Sequence, residues 1–397
     1  MSLLRQSALA LLARPSLCPH RSIAPLSCRV PRRLFSLGAT PNVPRPPLKI
    51  LFFGSDHFSA TSLKALYALH QRRRDIIASI DVLCREDKLS GRGRRTLKEA
   101  PIKEVASSFR LRIHEVDKFK DWELPEASSS GDINLLVAAS FGLLIPERII
   151  KAVKYGGINV HPSLLPMYRG AAPIYHTLLD ATPITGVTVQ TLHPKKIDAG
   201  EILIQTDPPL SVPPRTSYQV LHDALAVHGA ELLVETCVKG LFIPPIKPIT
   251  NNYTPSHAPK VNPETDARVK FSAASAEEVE RKAGVLKSLW CKFGSPEEPQ
   301  MLRRKRAILS DIRRLDVPEE NIDGVEVPPG TFQYLRMEGE GEGENRHGEE
   351  LLAIKCKVGG GWVRVGGIKL EGKKLVDGGE WARSMKDPKK KGLQMFI

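Results

Sequence analysis

Residues 48–54, LKILFFG, are apolar apart from Lys49 and end at a glycine. A short run of this kind, bounded by a turn residue, predicts a strand buried on both faces. SATSLKALYAL (59–69) has apolar residues at helical spacing, and IIASIDVLC (76–84) is again strand-like. DINLLVAASFG (132–142) and GINVH (157–161) supply a third and a fourth strand, while GVTVQTL (186–192) alternates with period two as a half-exposed strand does. TSYQVLHDALAVHGAELLVETCVKG (216–240) predicts a helix between a Thr/Ser cap and Gly240. Strands alternating with helices imply crossovers, so residues 48–245 are expected to form a Rossmann-like, doubly wound α/β domain around a mainly parallel sheet.

The rest of the chain reads differently. Residues 246–265, rich in Pro and Asn, are expected to be an interdomain linker. SAEEVERKAGVL follows as a short helix with Ser275 and Glu278 as a capping box. PPGTFQYLR, ELLAIKCKVG, GWVRVGGIKL and GGEWARSM are strand-like pieces split by glycine turns, which predicts an OB-like β-barrel within 266–397. EGEGEGENRHGEE (338–350) reads as a solvated excursion between two of these strands.

The 397 residues are 41% hydrophobic and 26% charged, as in ordinary globular proteins, and no apolar run is long enough to span a membrane. The net charge is +14, unevenly placed. Residues 1–47 hold seven arginines (Arg5, Arg14, Arg21, Arg29, Arg32, Arg33 and Arg45), several serines and no acid. That composition predicts a mitochondrial or plastid transit peptide, and a leader rich in arginine and only moderately rich in serine favours the mitochondrial matrix. Removing those seven charges leaves +7, a balance suited to a polyanionic partner. The cysteines outside the leader (Cys84, Cys237, Cys291 and Cys356) form no C-x-x-C pair, which argues against zinc or a disulfide framework.

In INVHPSLLPMYRGAAPI (158–174), Asn159 and His161 are two residues apart on a strand and so share a face. They lie at a strand's carboxyl end, where open α/β sheets bind ligands. An amide can donate to a developing oxyanion, an imidazole handles protons near neutral pH, and a carboxylate such as Asp198 can orient the ring. Together they suit acyl transfer or hydrolysis without a protein nucleophile. A lone N-x-H is weak evidence, and Asp198 alone adds little. The basic stretch REDKLSGRGRRTLK (85–98), between a strand and a helix, suits phosphate contact, although charge runs are usually solvated loops.

The string NVHPSLLPMYRGAAPI followed by DAGEIL closely resembles the signature of the 10-formyltetrahydrofolate-dependent formyltransferases. FFGSDHFSATSLKAL, REDKLSGRGRR, AASFGLLIP and GGWVRVGGIKLEGKKLVDGGEWARSM resemble further blocks of the branch whose acceptor is methionyl-tRNA. The resemblance implies a catalytic trio of Asn159, His161 and Asp198. It implies a co-substrate, 10-formyltetrahydrofolate, in a crevice lined by Phe141, Gly142, Leu143, Leu144 and Ile145, with Ser163, Leu164, Leu165 and Pro166 opposite. It also implies an initiator methionyl-tRNA met by Arg85, Lys88, Arg92, Arg94 and Arg95, and by Lys369, Lys373 and Lys374 of the barrel. No metal and no membrane are required, and a monomer is expected. Met167-Tyr168 replaces an Arg-Trp-like pair, and GVLKSLWCKF lacks the prolines of the matching segment. The alternatives are a formyltransferase acting on a small amine, such as a nucleotide or amino sugar, and a non-catalytic RNA-binding relative. The basic loop and the C-terminal domain tell against the first, the intact trio against the second.

Overall fold

The structure is a computed structural model describing residues 45–90, 96–129, 131–294, 305–315, 328–337, 349–356, 361–385 and 395–396. Most of the expected leader, Arg92, Arg94, Arg95 and nearly all of the Glu/Gly loop lie outside the described residues.

LKILFF forms β1 (Leu48–Phe53), an interior strand of a seven-stranded sheet. The chain continues through α1 (His57–Arg72), β2 (Ile77–Cys84), a hairpin of β3 (Lys88–Ser90) and β4 (Thr96–Lys98), α2 (Pro101–Ser108) and β5 (Ile113–Glu115). It then crosses to the far side of β1 for β6 (Leu135–Ala139), α3 (Glu147–Ala152) and β7 (Gly157–His161). After α4 (Pro173–Leu179) come β8 (Ile184–Thr185), β9 (Thr188–Thr191), β10 (Ile202–Gln205), β11 (Leu210–Ser211) and α5 (Tyr218–Lys239). The sheet order is β10-β9-β7-β6-β1-β2-β5; the strands from β5 to β7 run parallel, and β9 and β10 run antiparallel.

The continuous apolar run in β1 has a direct cause. Ile50 and Phe52 face a core shared with α1 and α5, whereas Leu51 and Phe53 face a second core containing Phe119, Phe141 and Ile149. Alternating side chains thus meet a covered face on either side, each burial contributing about 1.5–3 kcal/mol. Helix α5 starts where Ser217 accepts from the Val220 N–H and stops at Gly240 in the left-handed conformation. Its Gly229 lets it lie close on β7, because a Cβ there would come within 3.0 Å of Val160 and 3.1 Å of the Phe58 ring. Arg45, inside the expected leader, packs over the Phe242 ring and donates to the Cys237 carbonyl in the last turn of α5.

A second sheet follows α6 (Ala276–Leu286), whose Ser275 cap accepts from the Glu278 N–H. It comprises β12 (Ser288–Gly294), β13 (Lys305–Leu315), β14 (Phe332–Met337), β15 (Glu349–Lys355), β16 (Trp362–Leu370) and β17 (Val376–Asp377). Helix α7 (Gly378–Met385) and β18 (Met395–Phe396) complete it. Arg281 on α6 donates to the Leu179 carbonyl at the end of α4, tying the two sheets' layers together. Among the described residues, no helix is long and apolar enough to cross a membrane.

The fold class expected from sequence needs correction. The second sheet is open, not an OB-like barrel: its order is β14-β15-β16-β13-β12-β18, and no ladder among the described residues joins β14 to β18. A backbone hydrogen bond from Phe396 to Gly330 brings the ends near each other without pairing the strands. The physical reason lies in GGEWARSM, which forms α7 rather than a strand. Trp381 and Ala382 on that helix are buried, and the Trp381 ring packs against Phe293, Phe332 and Phe396 at centroid distances of 5.1–5.7 Å. Helices α6 and α7 cover the apolar face that a barrel would bury by closing on itself. The first sheet is mixed, with β9 and β10 antiparallel beyond β7, whereas the ladders of the second sheet among the described residues are all antiparallel.

Candidate active site

The strand order reverses between β1 and β6, and β7 lies one strand beyond that reversal. Ile158 and Val160 of β7 face the core beneath α5, so Asn159 and His161 project from the opposite face at the carboxyl end. In the antiparallel pairing with β9, Asn159 sits opposite Gln190 and His161 opposite Thr188. The four polar residues therefore share one face.

Asp198 enters from the loop after β9, with its backbone in the left-handed region at φ 49°, which Asp tolerates better than most residues. Its Oδ1 accepts from Asn159 Nδ2 at 3.2 Å and Gln190 Nε2 at 3.0 Å, and its Oδ2 accepts from the Gly170 N–H at 2.9 Å. His161 Nδ1 lies 3.6 Å from Oδ1, an ion-pair distance too long for a good hydrogen bond. The other ring nitrogen, Nε2, lies 2.9 Å from the Tyr168 carbonyl and donates to it. The side chains of His161 and Asp198 are only 6% and 8% exposed. The trio expected from sequence is thus brought together, and Asp198 is bound more directly to Asn159 than to His161.

Gln190 was missed by sequence reading. It is buried, and its Oε1 accepts from the Gly200 N–H at 3.1 Å while Nε2 holds Asp198. The signal was available in GVTVQTL, where period two sets Thr188 and Gln190 on one face and Val187 and Val189 on the other. Thr188 Oγ1 donates to the Ser163 carbonyl and accepts from the Leu165 N–H, fixing the loop after β7. The stretch read as a linker is also bound here: Asn251 donates to the Leu165 carbonyl, and the Ser256 and Ala258 backbones bond with Pro166, Arg169 and Ala172. Gly170 makes that approach possible, since at φ 120° a Cβ would sit 2.7 Å from the Ala258 carbonyl oxygen.

The residues expected to line a folate crevice are distributed unevenly. Phe141 and Ile145 are buried in the core beside Phe53, and Leu143 packs partly against it. Gly142 and Leu144 are exposed. Ser163, Leu164 and Leu165 are fully buried, and half-buried Pro166 follows in a cis peptide. Of the basic residues, Arg85 is paired with Asp117, and Lys88 opens β3. Lys103 in α2 is buried between Asp87 and Glu115, so ion pairs hold both sides of the hairpin's base. Lys369, Lys373 and Lys374 are exposed at the end of β16 and in the turn after it.

Residues 48–237 match the family model described as formyl transferase. The mitochondrial methionyl-tRNA formyltransferase of Saccharomyces cerevisiae is 36% identical over 302 residues, covering 67% of this chain and 74% of that protein. The mitochondrial methionyl-tRNA formyltransferase of Rattus norvegicus is 31% identical over 335 residues, covering 82% of this chain and 75% of that one. The solved structure of WlaRD, a sugar 3N-formyl transferase, aligns with a TM-score of 0.47 at 16% identity, over 82% of this chain and 99% of that one. On these sequence matches the chain belongs to the formyl transferase family, together with the methionyl-tRNA formyltransferases.

Proposed function

We propose that this formyl transferase moves the formyl group of 10-formyltetrahydrofolate to the α-amino group of methionine esterified to initiator tRNA, in the mitochondrial matrix. The observation that carries the reading is the convergence of Asn159, His161 and Asp198 at the carboxyl end of β7 in a chain of this family. The mitochondrial relatives and the arginine-rich, acid-free leader support the compartment. Exposed Leu144, in the loop after β6, and exposed Ile197, next to Asp198, offer apolar surface to a flat ligand.

The amine attacks the formyl carbon, the carbonyl oxygen becomes an oxyanion, and the folate nitrogen leaves with a proton. One Asn159 N–H is committed to Asp198, leaving the other for the oxyanion. His161 Nε2 is committed to the Tyr168 carbonyl, which leaves Nδ1 to handle the proton. Asp198, held by Asn159, Gln190 and Gly170, faces Nδ1 as a fixed negative charge and balances the imidazolium formed during transfer. Residues 48–245 supply this chemistry. The basic hairpin and the 266–397 region, joined through 246–265, meet the RNA backbone through cations such as Lys369, Lys373 and Lys374.

The division of labour is tested by two substitutions in the chain lacking residues 1–44. His161→Ala is expected to lower turnover by about 10²–10⁴-fold, the scale of lost acid–base catalysis, with tRNA affinity retained. Arg92→Ala is expected to raise the KM for tRNA and spare turnover. Exchange of the two phenotypes would overturn the assignment.

A further inference from the structure

The carbonyl that holds His161 belongs to Tyr168, whose backbone is left-handed at φ 56°, an unusual state for a bulky residue. Three contacts keep it there. Its N–H donates to Ser256 Oγ at 2.9 Å, its Oη lies 3.0 Å from Asp180 Oδ2, and Thr182 Oγ1 is 2.5 Å from the same Oη. The ring is buried, and burial raises the phenol above its ordinary pKa, so Oη keeps its proton and donates to Asp180 while accepting from Thr182.

We propose that Tyr168, clamped by Asp180 and Thr182, is a positioning residue that fixes His161 in the Nε2–H form and makes Nδ1 the working nitrogen. Asp180 is exposed at the C-terminal end of α4 and touches neither Asn159, His161 nor Asp198. Through Oη it sets the Tyr168 ring, the ring fixes the left-handed backbone, and the backbone aims the carbonyl at Nε2. A neutral imidazole has one N–H. With that N–H on Nε2, the Nδ1 lone pair faces Asp198 Oδ1 across 3.6 Å and is free to take a proton. The imidazolium then formed lies between a carbonyl and a carboxylate, one acceptor beside each nitrogen. Without the clamp the carbonyl can swing away and the ring is free to adopt the Nδ1–H form, which withdraws the lone pair that receives the proton.

The inference rests on the proposed transfer reaction for its kinetic arm, but its spectroscopic arm does not. With ¹⁵N-histidine-labelled chain lacking residues 1–44, His161 assigned by loss of its signals in His161→Ala, the neutral ring is expected to show a protonated Nε2 and an unprotonated Nδ1. Asp180→Asn and Tyr168→Phe should shift that population toward Nδ1–H. Both should also lower kcat about tenfold, with KM for either substrate changed less than twofold. Asp180→Asn is a surface substitution, so it reports even where Tyr168→Phe fails to fold. A wild-type ring protonated on Nδ1, or an Asp180→Asn chain with unchanged His161 spectrum, would overturn the assignment. Absence of formyl transfer in the wild type beside an Nε2–H spectrum would sink the reaction and leave the positioning intact.

Discussion

Replacing Gln190 with Met tests whether Asp198 is held as the geometry indicates. Methionine is close in volume, so repacking should cost less than about 1.5 kcal/mol. Two polar contacts vanish. The first is the 3.0 Å bond from Nε2 to the Asp198 carboxylate, a charge-assisted bond of about 1.5–3 kcal/mol. The second leaves the half-buried Gly200 N–H without its side-chain acceptor, a loss of about 1 kcal/mol given access to water. The expected destabilisation is therefore about 2–4 kcal/mol, read as a lower urea midpoint with an unchanged slope. Activity should fall tenfold or more, roughly the penalty of a slightly misplaced catalytic group. The decisive assay is a double-mutant cycle with Asp198→Ala. The left-handed backbone strain of alanine at 198 appears on both sides of the cycle and cancels. Coupling of about 1.5–3 kcal/mol is expected; additivity within about 0.5 kcal/mol would refute the claim that Gln190 acts on Asp198.

Arg45→Ala removes a cation from the C-terminal end of α5 and from the Phe242 ring, and should destabilise the chain by about 1–2 kcal/mol. An unchanged denaturation midpoint would place Arg45 outside the folded body. Lys103→Met leaves Asp87 and Glu115 without their shared ammonium, with an expected loss of about 2–3 kcal/mol, moderated because Glu115 is half-exposed. Burial works against the charge on Lys103, but the bonds it donates to Asp87 and Glu115 prevail and raise its pKa. A raised pKa gives stability that is complete below the unfolded value of about 10.4 and lost as pH climbs through the folded one. Wild-type stability should therefore decline more steeply above about pH 10.4 than that of Lys103→Met; parallel pH curves would exclude the pairing.

What could be read from sequence follows the range of the forces involved. LKILFF, apart from Lys49 near its start, and LLVAA announce themselves because strand positions covered on both faces must be apolar. Asn159 and His161 were legible because a two-residue spacing on a strand fixes a shared face, and Asp198 because the surrounding string resembles a known signature. Gln190 looked like an ordinary strand residue, since its role depends on which strand pairs with β7. Tyr168 was noticed only as a departure from a pattern: its backbone carbonyl meets His161, and side-chain identity does not reveal a carbonyl's direction. Arg45 was hidden in the composition of the leader. The supposed barrel failed for a related reason. Closure depends on how edge strands meet, and local glycine-punctuated segments are compatible with both a closed barrel and an open sheet covered by α6 and α7. In GGEWARSM, the Trp381-Ala382 pair with Met385 one turn later was the overlooked helical signal.

The most direct test of the central claim is formyl transfer itself, using the chain without residues 1–44, 10-formyltetrahydrofolate and initiator methionyl-tRNA, with formylmethionine released from the tRNA as the readout. Formylmethionyl-tRNA is expected from the wild type, and a loss of orders of magnitude in His161→Ala. No product from the folded wild type with charged tRNA, or formylation of a small free amine while methionyl-tRNA stays unmodified, would contradict it.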